Sequence, residues 1–204
     1  MSILLVRHGE TEGNRKRVFQ QPETPLSERG LAQARQLGER LAGMGVGAII
    51  ASDYARARMT AEAVSLASGV PLQIDPDLRE RNFGALRGRS YADLEIDPFG
   101  PDYTPPDGES WEALHARVDS AWERAAETAP AADPNLVVVT HGLVCHSLVT
   151  RKLQLPEGLD YTGGFANTAL SVIDAAPPWR VRVLGCTAHL DASTAHDPGS
   201  KSGL

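Results

Sequence analysis

Two apolar runs in this chain lack the polar alternation of a half-exposed strand, and each ends on a histidine followed by a glycine. Ile3-Leu4-Leu5-Val6 leads into Arg7-His8-Gly9-Glu10-Thr11, and Leu136-Val137-Val138-Val139 leads into Thr140-His141-Gly142. A strand that is apolar at every residue buries both faces, the pattern of parallel strands covered by helices on either side. The run from Ala48 to Ser52 has the same character. Parallel strands need long crossovers, so the chain is confined to an alternating α/β architecture. In open parallel sheets, ligands collect where loops diverge at the carboxyl ends of strands, and His8 and His141 both fall there. Two imidazoles at one sheet edge point to one site.

The intervening segments supply the crossovers. Ser27 is placed to cap a helix whose apolar positions Leu31, Ala34, Leu37 and Leu41 recur at helical spacing until Gly43 and Gly45 end it. Tyr54 to Ala67 reads as a second helix, with Ala57, Ala61 and Val64 on one face and Gly69 and Pro71 closing it, and Leu72 to Ile74 adds a short strand. From Gly84 to Gly108 periodicity is lost and Pro98, Pro101, Pro105 and Pro106 accumulate, which predicts a loop or lid. Trp111, Leu114, Val118, Trp122 and Ala125 mark another helix, as does Gly142 to Leu153. Ala169 to Asp174 and Arg180 to Leu184, separated by Pro177-Pro178, read as antiparallel neighbours. The expectation is one domain over residues 1–190 and a mobile C-terminal tail over 191–204.

Composition serves mainly to exclude. A chain of 204 residues that is 42% hydrophobic supports one core of ordinary size. A net charge of -6 argues against nucleic acid as a partner, although a local basic pocket is compatible with it because field depends on placement. The first strand follows Met1-Ser2 directly, with no charged leader or apolar signal core, and no later stretch reaches membrane-spanning length. A cytoplasmic protein with no membrane partner is therefore expected. Oligomeric state is not legible. Cys145 and Cys186 lack Cys-x-x-Cys spacing, and the six histidines show no His-Glu-x-x-His pattern, so neither a metal nor a cofactor is expected.

Arg7 beside His8, with Asp53, Arg56 and Arg58 brought to the same edge by the Ala48 to Ser52 strand, suits a tetrahedral oxyanion. Guanidinium forks hold phosphate oxygens in two-point contacts, while an uncharged imidazole nitrogen can attack phosphorus. Arg56 and Arg58, two apart on a helix, cannot face the same way, and Arg58 is read as the solvated one. Glu10 and Thr11 are expected to shape the loop, His146 to pack or face solvent, and His115 and His196 to do no chemistry.

Taken in order, these motifs resemble the histidine phosphatase superfamily, also called the phosphoglycerate mutase-like family, whose signature is Arg-His-Gly-Glu/Thr near the N-terminus. The matching segments are Leu5-Val6-Arg7-His8-Gly9-Glu10-Thr11 with Asn14, Pro25-Leu26-Ser27-Glu28-Arg29-Gly30, Ser52-Asp53-Tyr54-Ala55-Arg56-Ala57 with Thr60-Ala61, Leu78-Arg79-Glu80-Arg81-Asn82-Phe83-Gly84, and Val139-Thr140-His141-Gly142. The resemblance runs to about Leu190. It implies a three-layer α/β/α sandwich with a mostly parallel central sheet. It further implies that His8 is the nucleophile forming a phosphohistidine, that Arg7, Arg56 and His141 bind the phosphoryl group, and that Asn14 adds an amide donor. Glu80 matches the general acid, with Gln20 and Gly142 as further substrate contacts. His189, within Thr187-Ala188-His189-Leu190, resembles a C-terminal motif of these phosphatases and takes a supporting role. The arginines should push Glu80 towards ionisation, with bound phosphate offsetting that push.

Departures from the family pattern bear on substrate. Gln20-Gln21 stands where many family phosphatases have Gln-Gly, and Phe83 where mutases usually carry tyrosine. No Lys or Arg occurs from Ser90 to Ala116, although Asp93, Glu95, Asp97, Asp102, Asp107 and Glu109 do, whereas cofactor-dependent mutases have a longer, basic insertion there. The reading is a phosphoric monoester hydrolase of the histidine acid phosphatase type, acting through a covalent phosphohistidine on a small phosphorylated metabolite with few additional anionic groups. A 2,3-bisphosphoglycerate-dependent phosphoglycerate mutase is the alternative, and a weakly active phospholigand or protein-binding module a third.

Overall fold

The computed structural model describes residues 1–195, and the three unalternating runs form the middle of one six-stranded sheet. Its strands are β1 (Ser2–Arg7), β2 (Ala48–Ala51), β3 (Leu72–Ile74), β4 (Asn135–Thr140), β5 (Leu170–Asp174) and β6 (Val181–Cys186), in the order β3-β2-β4-β1-β5-β6. The first four in that order run parallel, while β5 is antiparallel to both β1 and β6. Central strands β1 and β4 align from Ser2 with Asn135 to Arg7 with Thr140. Their carboxyl ends therefore coincide, and His8 and His141 leave the sheet side by side.

Helices cover both faces, completing the expected three layers. A single turn, α1 (Glu12–Arg15), follows β1; then come α2 (Glu28–Met44), α3 (Ala55–Ser68), α4 (Trp111–Thr128) and α5 (Gly142–Arg151). Alternate residues of β1 divide between two cores: Leu4 and Val6 pack with Leu37 and Leu41 of α2 and Ala57 and Val64 of α3, while Ile3 and Leu5 pack with Leu114, Val118 and Trp122 of α4 and Leu143 of α5. Burial of both strand faces is the reason the run carries no polar residue.

Ser27 caps α2 by accepting from the Gly30 N–H at 3.1 Å, and Gly45 ends it in a left-handed conformation, φ 79°. Leu31, expected on the buried stripe, is instead 48% exposed; the buried positions are Gly30, Gln33, Ala34, Leu37, Gly38 and Leu41. Two glycines rotate the stripe by permitting close approach. A Cβ on Gly30 would lie 2.0 Å from the Glu10 carbonyl oxygen, and one on Gly38 2.7 Å from that of Ala63 on α3.

The non-periodic segment after Glu80 holds only short 3-10 turns, Gly84–Leu86 and Tyr91–Asp93. It is pinned rather than loose. The buried Arg81 guanidinium donates to the carbonyls of Glu109 (3.0 Å), Pro98 (3.3 Å) and Tyr103, and the Trp111 indole N–H donates to the Gly100 carbonyl at 2.9 Å. Residues 191–195, expected to begin a mobile tail, bond back onto α2: Gln33 donates to the Thr194 carbonyl (3.0 Å) and Gln36 to the Asp191 carboxylate (2.7 Å). The rest of that tail, His196 included, lies outside the described residues. Among the described residues no helix is long and apolar enough to cross a membrane.

Close backbone approach at Gly30 makes a directional prediction. Gly30→Ala should lower the unfolding free energy by about 1–3 kcal/mol through overpacking. Gly43→Ala, on the same helix but with open space at its Cβ position, should raise it by up to about 1 kcal/mol. Urea midpoints of the two variants check both signs.

Candidate active site

β1 delivers Arg7 and His8 to the sheet edge, each 2% exposed. The His8 Nδ1 lies 2.7 Å from the Gly9 carbonyl oxygen. A carbonyl can only accept, so Nδ1 carries the ring proton and Nε2 keeps its lone pair. Burial, reinforced by the charges of Arg56 and Arg7, holds the imidazole well below its ordinary pKa and keeps it neutral.

His141 is the N-cap residue of α5, with its ring centroid 5.1 Å from that of His8. Its Nε2 is 2.9 Å from the Ser52 hydroxyl, which also accepts from the Tyr54 N–H at 3.2 Å. Ser52 can therefore give its own proton to Nε2, leaving the ring proton on Nδ1, a buried atom with no protein partner among the described residues. Burial, then Arg56, also depresses the His141 pKa, so this N–H belongs to a neutral ring.

The two helix arginines divide as expected. Arg56 is buried and donates to the Gln21 carbonyl at 3.2 Å, while Arg58 is solvated and sits 3.6 Å from Glu62 one turn on. Burial pulls the Arg56 pKa down to about 10, so it stays cationic at neutral pH. Arg7 donates to the Phe165 carbonyl. Asp53 is taken up by Arg79, whose Nε is 2.7 Å away.

Glu80 accepts from the Arg81 N–H (2.9 Å) on one oxygen and from the Leu143 N–H (3.2 Å), in the first turn of α5, on the other. The arginines were expected to drive it towards ionisation until phosphate bound. Burial outweighs them: desolvation of the carboxylate raises the pKa against two backbone hydrogen bonds, Arg56 and Arg7. The carboxyl is thus biased towards its protonated form by the enclosed site itself.

Arg7, His8, Asn14, Gln20, Arg56 and Glu80 all line one cavity of about 50 Å³. An open groove of about 860 Å³ adjoins it and shares Tyr54, Glu80 and Arg87. The Thr11 hydroxyl is shared between the side-chain oxygens of Asn14 (3.0 Å) and Gln20 (2.7 Å), so the amide nitrogens are the ends available to a ligand. Thr11 thereby shapes the loop, as does Glu10 through Ser27 at 3.0 Å. His141 and Gly142 do not line the cavity wall. The His141 ring stands beside that of His8, and Gly142 opens α5, whose amino end favours an anion.

Three residues of the site carried no expected role. Asn167 donates to the His8 carbonyl at 3.1 Å, the Thr168 N–H donates to the same oxygen at 3.2 Å, and Phe165 receives Arg7. Because β5 is antiparallel, its amino end, not its carboxyl end, meets the edge where β1 stops. The signal was the polar Asn167-Thr168 pair just before an apolar run, legible only once that direction is known. His189 lies 3.1 Å from the Thr168 hydroxyl and 3.3 Å from Arg40, with its pKa lowered to about 4 by burial. His115 and His146 bond to Ser147 (2.7 Å) and Tyr161 (3.2 Å), away from the cavity lining. Among the described residues no group of three or more His, Cys, Asp or Glu side chains is placed to hold a metal ion.

Comparison with known proteins points the same way as this geometry. The family model for the histidine phosphatase superfamily (branch 1) matches residues 3–184. The curated "Probable phosphoglycerate mutase GpmB" of Citrobacter koseri is 34% identical, over 94% of this chain and 96% of its own. Two solved structures each superpose with a TM-score of 0.78. They are the alpha-ribazole phosphatase from Shigella flexneri, 28% identical over 92% of this chain and 97% of that one, and the mycobacterial glucosyl-3-phosphoglycerate phosphatase, 26% identical over 91% and 99%.

Two neutral buried imidazoles should make the fold acid-sensitive. The folded pKa values of His8 and His141 lie well below the ordinary 6.5, so as pH falls past that value the unfolded chain takes up protons the folded chain refuses. Stability present above pH 6.5 is then lost, at up to about 1.4 kcal/mol per pH unit for each ring. Glu80 has the opposite sign, gaining stability as pH falls through its raised pKa towards 4.5. His141→Gln should flatten the acid slope by one proton's worth, read from urea unfolding between pH 5 and pH 8.

Proposed function

The chain belongs to the histidine phosphatase superfamily (branch 1), and from that membership we propose that it is a phosphomonoester hydrolase working through a covalent phosphohistidine on a small phosphorylated metabolite. The observation that carries this reading is the unprotonated Nε2 of His8, fixed by the Gly9 carbonyl, in a cavity it shares with Arg7, Arg56 and Glu80.

In this reading Nε2 attacks phosphorus as the ester P–O bond breaks, and Glu80 passes its proton to the departing alkoxide. Water then attacks the phosphohistidine, the P–N bond breaks, and Glu80 takes the water's proton, restoring both groups. Charge develops on the equatorial oxygens of the phosphoryl group during each transfer. Arg7, Arg56, the Nδ1–H of His141 and the amino end of α5 are fixed donors for those oxygens, and such preorganisation supplies most of the rate.

The curated relatives named as mutases keep a second reading in view, in which the phosphoryl group returns to another hydroxyl. Hydrolysis is favoured by the segment from Ser90 to Ala116, which offers no cation to a bisphosphate and whose carbonyls at Pro98 and Tyr103 are held by Arg81. The similar solved structures named as phosphatases support it too.

Incubation with a ³²P-labelled small phosphomonoester should label His8 in an acid-labile form and release inorganic phosphate. His8→Ala should abolish both, and Glu80→Gln should slow release from esters with poor leaving groups by about 10²–10⁴-fold. Isomerisation of 3-phosphoglycerate without phosphate release would select the mutase reading, and no labelling would leave a phospholigand-binding module.

A further inference from the structure

We propose that Arg17 and Arg87 form a second anion-binding subsite at the mouth of the catalytic cavity. The preferred substrate is then a phosphomonoester whose alcohol carries a further anionic group, a carboxylate or a second phosphate. The proposal rests on the phosphatase reading for the placement of the first anion.

Charge counting leads to it. The cavity is lined by Arg7, Arg17, Arg56, Arg81 and Arg87 against one carboxyl, Glu80, which burial biases towards its neutral form. A phosphomonoester brings about two negative charges, which the buried pair beside His8, Arg7 and Arg56, already answers. Arg81 is spent on three backbone carbonyls. Arg17 and Arg87 remain, and neither belongs to an ion pair among the described residues. Of the arginines lining the outer groove, Arg79 is held by Asp53, and Arg117 by Glu109 at 2.7 Å.

The two side chains come from segments stitched together. Val18 bridges Ser90, the Tyr91 N–H donates to the Arg17 carbonyl at 2.9 Å, and the Gly88 N–H donates to that of Phe19 at 2.7 Å. The Arg17 guanidinium lies 5.5 Å from the centroid of the Tyr91 ring. Arg87 is held by the Tyr54 hydroxyl at 3.0 Å, and the Tyr54 ring meets His141 edge-on with centroids 5.4 Å apart. Arg87 is therefore tied to the catalytic groups while leaving most of its N–H groups uncommitted. It also lines both the inner cavity and the outer groove, the position a substrate's distal end must pass.

Backbone conformation at Arg17 adds an independent observation. Its φ is 51°, the left-handed region that glycine and asparagine tolerate and residues with longer side chains disfavour. The single positive patch legible in the sequence suggested a substrate with few further anionic groups. Placement reverses that expectation, because two arginines outside any ion pair line the catalytic cavity.

The test measures binding without turnover. In His8→Ala protein, calorimetry compares glycerol 3-phosphate with 3-phosphoglycerate, which adds a carboxylate, and with glycerol 1,3-bisphosphate, which adds a phosphate. At least one two-anion compound should bind about tenfold or more tightly than glycerol 3-phosphate, and the larger advantage identifies the anion. Adding Arg17→Asn and Arg87→Gln should bring the compounds to near parity, and Arg87→Lys, which keeps charge without the fork, should give an intermediate advantage even if Arg87→Gln fails to fold. Equal or absent binding in the His8→Ala parent, or an advantage that survives both substitutions, overturns the proposal. Tighter binding of a two-anion compound with no phosphate release by the unmodified protein would instead overturn the phosphatase reading and leave the subsite standing.

Discussion

Burial at the carboxyl edge of the sheet is the strongest influence on the protonation of the titratable groups there. Burial disfavours whichever form is charged, so it acts with opposite signs on an imidazole and a carboxyl. The same enclosure that keeps His8 unprotonated also draws Glu80 towards its acid form, although Arg7 and Arg56 oppose it at Glu80. The guanidiniums remain charged, since their ordinary pKa lies too far above neutrality for burial to discharge them. The result is an enclosure in which the buried cations Arg7 and Arg56 stand beside the neutral His8 ring. Backbone carbonyls at Phe165 and Gln21 offset part of the desolvation cost of the two cations.

Holding that arrangement falls to backbone as much as to side chains. Gly9 meets Gly30 so closely that a Cβ on Gly9 would lie 2.8 Å from the Gly30 carbonyl oxygen, which locks the loop after β1 against the start of α2. From the other side, Asn167 and Thr168 both donate to the His8 carbonyl, and Thr168 does so from a left-handed conformation, φ 54°. His189 braces the Thr168 hydroxyl in turn. The His8 backbone is thus clamped from two directions, while its ring is oriented by the neighbouring carbonyl. This is the preorganisation on which electrostatic catalysis depends, because the donors need not move as charge develops.

One such cradle serves a hydrolase or a mutase equally well, since both begin with transfer of a phosphoryl group to histidine. Discrimination must come from what surrounds it. Here the segment from Ser90 to Ala116 is acidic and without Lys or Arg, and the aromatic rings of Phe19, Phe83 and Phe99 line the cavity and pack together, with Phe19 and Phe83 centroids 4.5 Å apart. Arg17 and Arg87, neither in an ion pair among the described residues, line the same cavity.

Local rules were enough for much of this. Unalternating runs identified the buried strands, Ser27 and Gly45 bounded α2, and the two-residue spacing of Arg56 and Arg58 separated a buried cation from a solvated one, because each depends on neighbours in sequence. Leu31 was misplaced since the buried stripe of α2 follows Gly30 and Gly38, whose role is visible only when the Glu10 loop and α3 press against them. Asn167 and Thr168 were missed because the direction of β5 is a property of the sheet. The protonation bias of Glu80 was misjudged for a related reason: charges can be counted along a chain, whereas desolvation exists only once the chain has closed around the carboxyl. The sequence by itself determined which residues could do phosphoryl chemistry and which strands would bury them. Only the tertiary structure decided their protonation, their bracing and which arginines were left free, since each of these follows from three-dimensional enclosure and not from order along the chain.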